Sequence, residues 1–279
     1  MNDVTLFAWA VPAVFNGNVV DHTWVTAYDN RTDKYSDIQA VIDAQQHYWY
    51  CWGDYHPKGS VPGRTDGFLV SGQAELAYAC CLCKPNAESK HDVAAQGTIF
   101  AYGWDGVCHQ LANQVLWSTD PTGSAPAVVD KARGYRYSEF FFGAYGKRQS
   151  DWQNKRNGCL ANRSLEMSTQ QLTPSGDSFE EHVHKVLSGP KADAKILALL
   201  EHRRAVMGQI ERLRDNPNFA DGRASAADLN KLYTSFLRNA AKILGDDDFE
   251  RVFDQRPQEE MNIVDPEIYD ASNSQMLGH

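Results

Sequence analysis

A cysteine and a histidine stand side by side at Cys108 and His109, just after Gly106, in the stretch DGVCHQLANQVLW over 105–117. Cys108, Leu111, Ala112, Val115 and Leu116 recur at i, i+3, i+4, i+7 and i+8, one apolar face of a helix. Cys108 therefore belongs to the first helical turn. A thiol there meets the positive end of the helix dipole and backbone N–H groups without intrahelical partners, and both favour the thiolate. Those N–H groups can also hold the oxyanion of a tetrahedral intermediate. Cysteine is equally small and apolar enough to head a buried face with no chemistry at all. Position and residue type admit both readings.

A nucleophilic thiol needs a base. His109 is poorly placed for that role, because adjacent helix residues point about 100° apart. It can line a pocket instead, with Gln110 offering an amide donor near the oxyanion. His182, His184 and His202 fall in a helical region and are expected on solvated faces. Upstream, His22 opens the run HTWVTAYD, whose β-branched and aromatic residues read as a strand after the turn-forming NGN. Such a histidine can be purely structural; set against a helix-heading cysteine, it is the candidate base. Neutral His22 would deprotonate Cys108, the thiolate would attack an acyl carbon, and water or another acceptor would resolve the thioester.

This order, a strand-borne His first and a helix-heading Cys after a short strand and turn, resembles the circularly permuted papain-like fold. That is the arrangement of NlpC-type amidases and relatives of lecithin–retinol acyltransferase. DHTWVTAYD and DGVCHQLANQVL carry the resemblance. It implies that His22 activates Cys108 and that a polar third residue on the next strand orients the imidazole. The next strand is QHYWYCWGDYH; run antiparallel to the His22 strand, its far end points to Asp54 or His56. Trp24, His109 and Gln110 are the candidate substrate contacts. The group includes peptidases, amidases and acyltransferases, so the resemblance implies acyl transfer on an amide or ester without fixing the substrate. The sequence between His22 and Cys108 and the C-terminal half depart from the group's pattern.

The elements that must hold these residues show two textures. Over 1–170, aromatic and β-branched runs bounded by turn formers alternate with helices expected over 36–44, 72–83 and 108–116. This predicts an α+β fold, an antiparallel sheet with the nucleophile-bearing helix packed on it. The run RGYRYSEFFFGAYG reads as a strand buried on both sides. From 175 to 255 the pattern is helical, with helices expected over 178–187, 193–214 and 226–244. The tail, 256–279, has little periodicity and is expected to be mobile or to lie on the surface.

A net charge of −9 and a pI near 5.4 argue against a nucleic-acid partner, which would show a basic stripe. No run of about 18 apolar residues exists, so no membrane partner is expected. The N-terminus lacks a basic segment before its apolar run, which points to the cytoplasm, or to an effector delivered elsewhere by another route. Six cysteines in 279 residues are then reduced thiols rather than a disulfide framework. Cys80, Cys81 and Cys83 lack the usual CxxC spacing and follow a helix-like SGQAELAYA, so they read as buried apolar residues, and neither a metal nor another cofactor is expected. The expected partner is a small-molecule or peptide amide or ester, with oligomerisation open to the C-terminal helices. The competing class is a non-catalytic α+β binding or assembly module with structural or metal-binding cysteines.

Overall fold

The computed structural model describes residues 4–26, 49–50, 66–72, 101–118, 128–147, 150, 177–216 and 224–270. Among them helix predominates. Strands β1 (Val4–Pro12), β2 (Asp21–Thr26), β3 (Trp49–Tyr50) and β4 (Asp66–Gly72) pair antiparallel in the order β3-β2-β1-β4. His22 stands opposite Val11 and Trp24 opposite Trp9, so both lie on one face of β2. Ala8 and Val25 are fully buried, and His22 and Thr23 nearly so. Both faces of β2 are therefore buried at these positions.

Among the described residues six longer helices follow, α1 (Cys108–Ser118), α2 (Tyr135–Phe142), α3 (Ser178–Val186), α4 (Ala192–Arg214), α5 (Ala226–Leu244) and α6 (Asp246–Phe253), with a short helical turn at 266–270. Their ends follow local chemistry. Asp177 accepts the Phe179 and Glu180 N–H groups at the start of α3, and Ser225 forms a reciprocal capping box with Asp228 at the start of α5. Ile196, Leu199, Val206 and Ile210 of α4 and Leu229, Tyr233, Phe236 and Ala240 of α5 supply the facing apolar stripes. One continuous core runs from Ala8 and Val25 through α1 and α2 to Phe253 and Val264. The expected N-terminal and helical regions therefore share a single interior.

Three expectations need correction. The run RGYRYSEFFFGAYG holds helix α2, not a strand. Apart from Arg136, every residue of that helix is buried, so its sequence has no polar face to betray a 3.6-residue period. Its C-terminal carbonyls are met by buried Arg203, which donates from Nε to the Phe140 oxygen at 2.8 Å and from Nη2 to the Glu139 oxygen at 3.2 Å. Second, much of the segment 261–269 packs into the core rather than lying on the surface, whereas residues 256 and 258–260 are exposed. Met261, Ile263, Val264, Ile268 and Tyr269 are all buried, and Asn230 of α5 ties the segment by accepting from the Ile263 and Val264 N–H groups and donating to the Val264 carbonyl. Third, DGFLVSG is a strand that the sequence reading passed over, and Gly72 ends it rather than opening a helix. The helix expected over 36–44, the rest of that expected over 72–83, and Cys51, Cys80, Cys81, Cys83 and Cys159 lie outside the described residues.

Candidate active site

His22 is set by the junction between β2 and the turn before α2. Arg133 and Asp21 exchange backbone and side-chain bonds: Asp21 N–H to the Arg133 carbonyl at 2.8 Å, and Arg133 N–H to Asp21 Oδ2 at 3.0 Å. The Arg133 guanidinium adds an ion pair to Asp21 Oδ1 at 3.3 Å. Gly134 permits this close approach. A Cβ there would fall 2.3 Å from the Val19 carbonyl oxygen, and its φ of 75° is one that a side chain disfavours.

Cys108 is set by a tight turn. Gly103 donates to the Gly106 carbonyl at 2.8 Å, with φ near 79°, so the chain doubles back just before α1. Buried Asp105 holds the turn, accepting from Ala101 N–H at 2.9 Å and pairing with Arg214 at the end of α4 at 2.5 Å. Gln110 caps the helix: its Oε1 accepts the Val107 N–H at 3.0 Å, as the third residue of a capping box does.

These two constructions bring His22 Nδ1 to 2.9 Å from Cys108 Sγ. The residues are 86 positions apart, and both are buried. The Tyr102 hydroxyl lies 4.0 Å from the sulfur and accepts the Asp265 N–H at 3.3 Å. The Thr23 N–H and the N–H of Cys108 itself also donate towards the sulfur. A cleft of about 10 Å³ opens beside it, walled by Ala13, Phe15, Val20, Val107, Ile263 and Ile268, with Asp21, His22, Tyr102, Cys108 and Asp265 supplying its polar atoms.

Burial decides the protonation states. It lowers His22 to about 3, with the neighbouring His109 pushing the same way. It raises the Cys108 thiol well above its usual range, and the Asp265 charge adds to that shift against the opposing donors from Tyr102, Thr23 and Cys108. A helix dipole contributes typically 0.3–1 kcal/mol, about one pK unit at most, whereas full burial shifts a group by up to 3–5. The thiolate expected from the helix-mouth position therefore loses to desolvation. The resting pair is a neutral thiol beside a neutral imidazole.

The other sequence candidates fall elsewhere. His109 and Gln110 face α2, not the cleft. His109 Nδ1 meets Ser138 Oγ at 2.8 Å, and burial lowers the ring to about 4. The Gln110 amide spends its two protons on Ser138 Oγ at 3.2 Å and the Gly143 carbonyl at 3.0 Å, leaving none for an oxyanion. Asn113 and Gln114 continue this amide stripe, bonding the Ala144 and Tyr145 carbonyls. Trp24 sits on β2, two residues from His22, with only its backbone described. Asp54 and His56 lie outside the described residues. Of the distant histidines, His182 and His202 are half-buried, bonding the Val252 and Phe236 carbonyls, and His184 is exposed.

Sequence reasoning missed Tyr102, Asp265, Ile263 and Ile268. Asp265 had a readable signal: followed by Pro266, it caps the helical turn at 266–270, accepting the Glu267 and Ile268 N–H groups. Among the described residues no group of three His, Cys, Asp or Glu side chains could hold a metal, and no helix is long and apolar enough to cross a membrane. No family model, no curated protein and no solved structure matches the chain, so what this site does is argued from its geometry.

Proposed function

We propose that this protein is a cysteine-dependent acyl-transfer enzyme, a thiol hydrolase or acyltransferase acting on an amide or ester, with the permuted papain-like arrangement that its sequence resembles. The 2.9 Å approach of His22 Nδ1 to Cys108 Sγ carries the reading. The imidazole is neutral, so Nδ1 can accept a proton at neutral pH if Nε2 bears the ring hydrogen. As Sγ bonds to the acyl carbon, its proton passes to Nδ1 and the carbonyl oxygen becomes the oxyanion. Collapse breaks the bond to the leaving group, which takes the proton from His22 and leaves a thioester. Water or another nucleophile, deprotonated by His22, then releases the acyl group and restores the thiol. Backbone N–H groups in the first turn of α1 are the candidate donors for the oxyanion. A thiol used in this way must stay reduced, which fits a cytoplasmic setting.

Two observations favour the competing non-catalytic reading: the sulfur is almost fully buried, and the space beside it admits about one water. Acyl trapping separates the two. Incubation with p-nitrophenyl acetate, followed by intact-mass and peptide mass spectrometry, should place one acetyl group on Cys108 in the wild-type protein and none at that site in Cys108→Ala. Folded protein whose Cys108 stays unmodified between pH 6 and 9 would be a structural thiol, and the enzyme reading would fail.

A further inference from the structure

We propose that Arg214, the last residue of α4, is a positioning residue for the nucleophile: by pairing with buried Asp105 it fixes the turn that places Cys108 Sγ on His22 Nδ1. This rests on the thiol-enzyme reading and extends it to the helical half of the chain. Cys108 opens α1 three residues after Asp105, and the bond from Gly103 to Gly106 spans Asp105 and turns the chain back. What fixes Asp105 therefore fixes where the sulfur lies. Its Oδ2 accepts the Ala101 N–H at 2.9 Å, a bond within the turn itself. Its Oδ1 pairs with Arg214 Nη1 at 2.5 Å, and its backbone carbonyl accepts the Lys147 N–H at 2.8 Å. These two contacts tie the turn to other elements. Gly146 lets the second form, since a Cβ there would fall 2.9 Å from the Asp105 carbonyl oxygen.

Charge gives the Arg214 contact its weight. Asp105 is fully buried, whereas the Arg214 side chain is about one-third exposed. A buried carboxylate stripped of its partner is strongly destabilised in place. It must take up a proton or turn outwards to water, and either response loosens the turn. Lys147 feels Glu211, Asp105 and Arg214, so the four charges form one cluster where α4 meets the turn. A displacement of about 1 Å at a reacting group costs on the order of 10²-fold in rate. The Sγ-to-Nδ1 approach of 2.9 Å has no such latitude to give up. An arginine in the last turn also suits the negative end of the helix dipole, but that role would be felt as stability alone.

The test uses the full-length protein and p-nitrophenyl acetate, and reads the initial rate of Cys108 acylation by mass spectrometry at pH 6.5, 7.0 and 7.5. This window lies below the midpoint of Lys147, lowered to about 8 by burial. Across it His22 and Cys108 are both neutral at rest, so His22-assisted attack should run at a nearly level rate. A sulfur withdrawn from Nδ1 must react as the thiolate, whose fraction rises about 10-fold per pH unit. Arg214→Gln should therefore acylate about 10²-fold more slowly at pH 7, with a rate that climbs about 10-fold across the window. Arg214→Lys keeps a cation within reach of one carboxylate oxygen and should restore most of the rate and the level profile. Asp105→Asn removes the buried charge, so its folding does not depend on Arg214. It should show the same steep profile, and it decides the matter if Arg214→Gln does not fold by urea unfolding. Folded variants that keep the wild-type rate, or lose rate with the profile still level, overturn the positioning role alone, as does a wild-type profile that is already steep. Absence of any adduct on wild-type Cys108 overturns the thiol-enzyme reading and the positioning role together.

Discussion

Acid should unfold this protein through its buried histidines, in a pH range where most proteins are stable. His22 is lowered from 6.5 to about 3 and His109 from 6.5 to about 4, each chiefly by burial. Below pH 6.5 the unfolded chain protonates both rings, while the folded protein keeps them neutral until the pH approaches 4. Unfolding therefore takes up protons, and the stability present above pH 6.5 is lost as the pH falls. Each histidine contributes a slope of about 1.4 kcal/mol per pH unit, so the pair gives nearly 3 kcal/mol per unit between pH 6 and about 4.5. Two units of acid would remove about 5 kcal/mol, a large part of a typical domain's 5–15. Urea unfolding at pH 7, 6, 5 and 4.5 measures this directly. His109→Gln, which keeps a hydrogen-bonding group near Ser138, should reduce the slope by about one proton, and His22→Gln should do the same. Half-buried His182 is lowered too, but it contributes equally to all three proteins. Identical slopes in wild type and both variants would mean that the two rings titrate normally in the folded state, and the burial argument would be refuted.

Further outcomes follow from the same geometry. Cys108→Ala should abolish acylation at that site while costing about 1 kcal/mol of stability by urea unfolding, since it removes one small buried atom; retained turnover in a validated assay would reduce Cys108 to packing. His22→Ala should slow Cys108 acylation by about 10²- to 10⁴-fold at neutral pH, because the thiol would have no base for its proton. Asp54→Ala and His56→Ala should differ: the one that orients His22 should cost up to about 10⁴-fold in turnover and the other little, and equal, small effects would place the third residue elsewhere. Ending the chain after residue 258 removes five buried apolar side chains, each worth about 1.5–3 kcal/mol, so the truncated protein should have lost its cooperative thermal transition.

What the sequence disclosed depended on how each signal is carried. The apolar face headed by Cys108 and the capped helices of the C-terminal half repeat over two or more turns, and helices stand at 108–118, 192–214 and 226–244, each end within two residues of the expected bounds. His22 and Cys108 could be paired because a nucleophile demands a base, and the number of histidines was small. Other features gave no periodic trace. Helix α2 is apolar on nearly every side, so it reads like a strand. The segment that walls the cleft is irregular, and its burial depends on Asn230 and Thr234 of a helix some thirty residues earlier in the chain. Gln110 carries a related ambiguity. An amide in the first turn of a helix can serve an oxyanion or its own cap, and only the positions of Ser138 and Gly143 decide between them.

The same burial constrains the chemical step. Moving the proton from Sγ to Nδ1 creates opposite charges 2.9 Å apart, an attraction of about 6 kcal/mol at an effective dielectric constant near 20. That is worth about four units of proton affinity. The separation between an imidazole near 3 and a thiol held well above its usual range is wider than this. A free thiolate–imidazolium pair is then a minor state, and the remaining energy must come from the forming sulfur–carbon bond and from donors to the oxyanion. In the proposed reaction, proton transfer and attack must therefore be coupled in one step. A neutral resting thiol in a nearly closed cleft is also slow to oxidise, because the thiolate is the species that oxidants attack. Reactivity of Cys108 should therefore depend more on how well a reagent's acyl group fits the cleft than on its electrophilicity. Iodoacetamide reacts at its CH2–I carbon, where no tetrahedral intermediate forms, and should label Cys108 more slowly than p-nitrophenyl acetate acylates it at pH 7. Faster labelling by iodoacetamide would mean that a free thiolate is populated, and the coupled step would have to be abandoned.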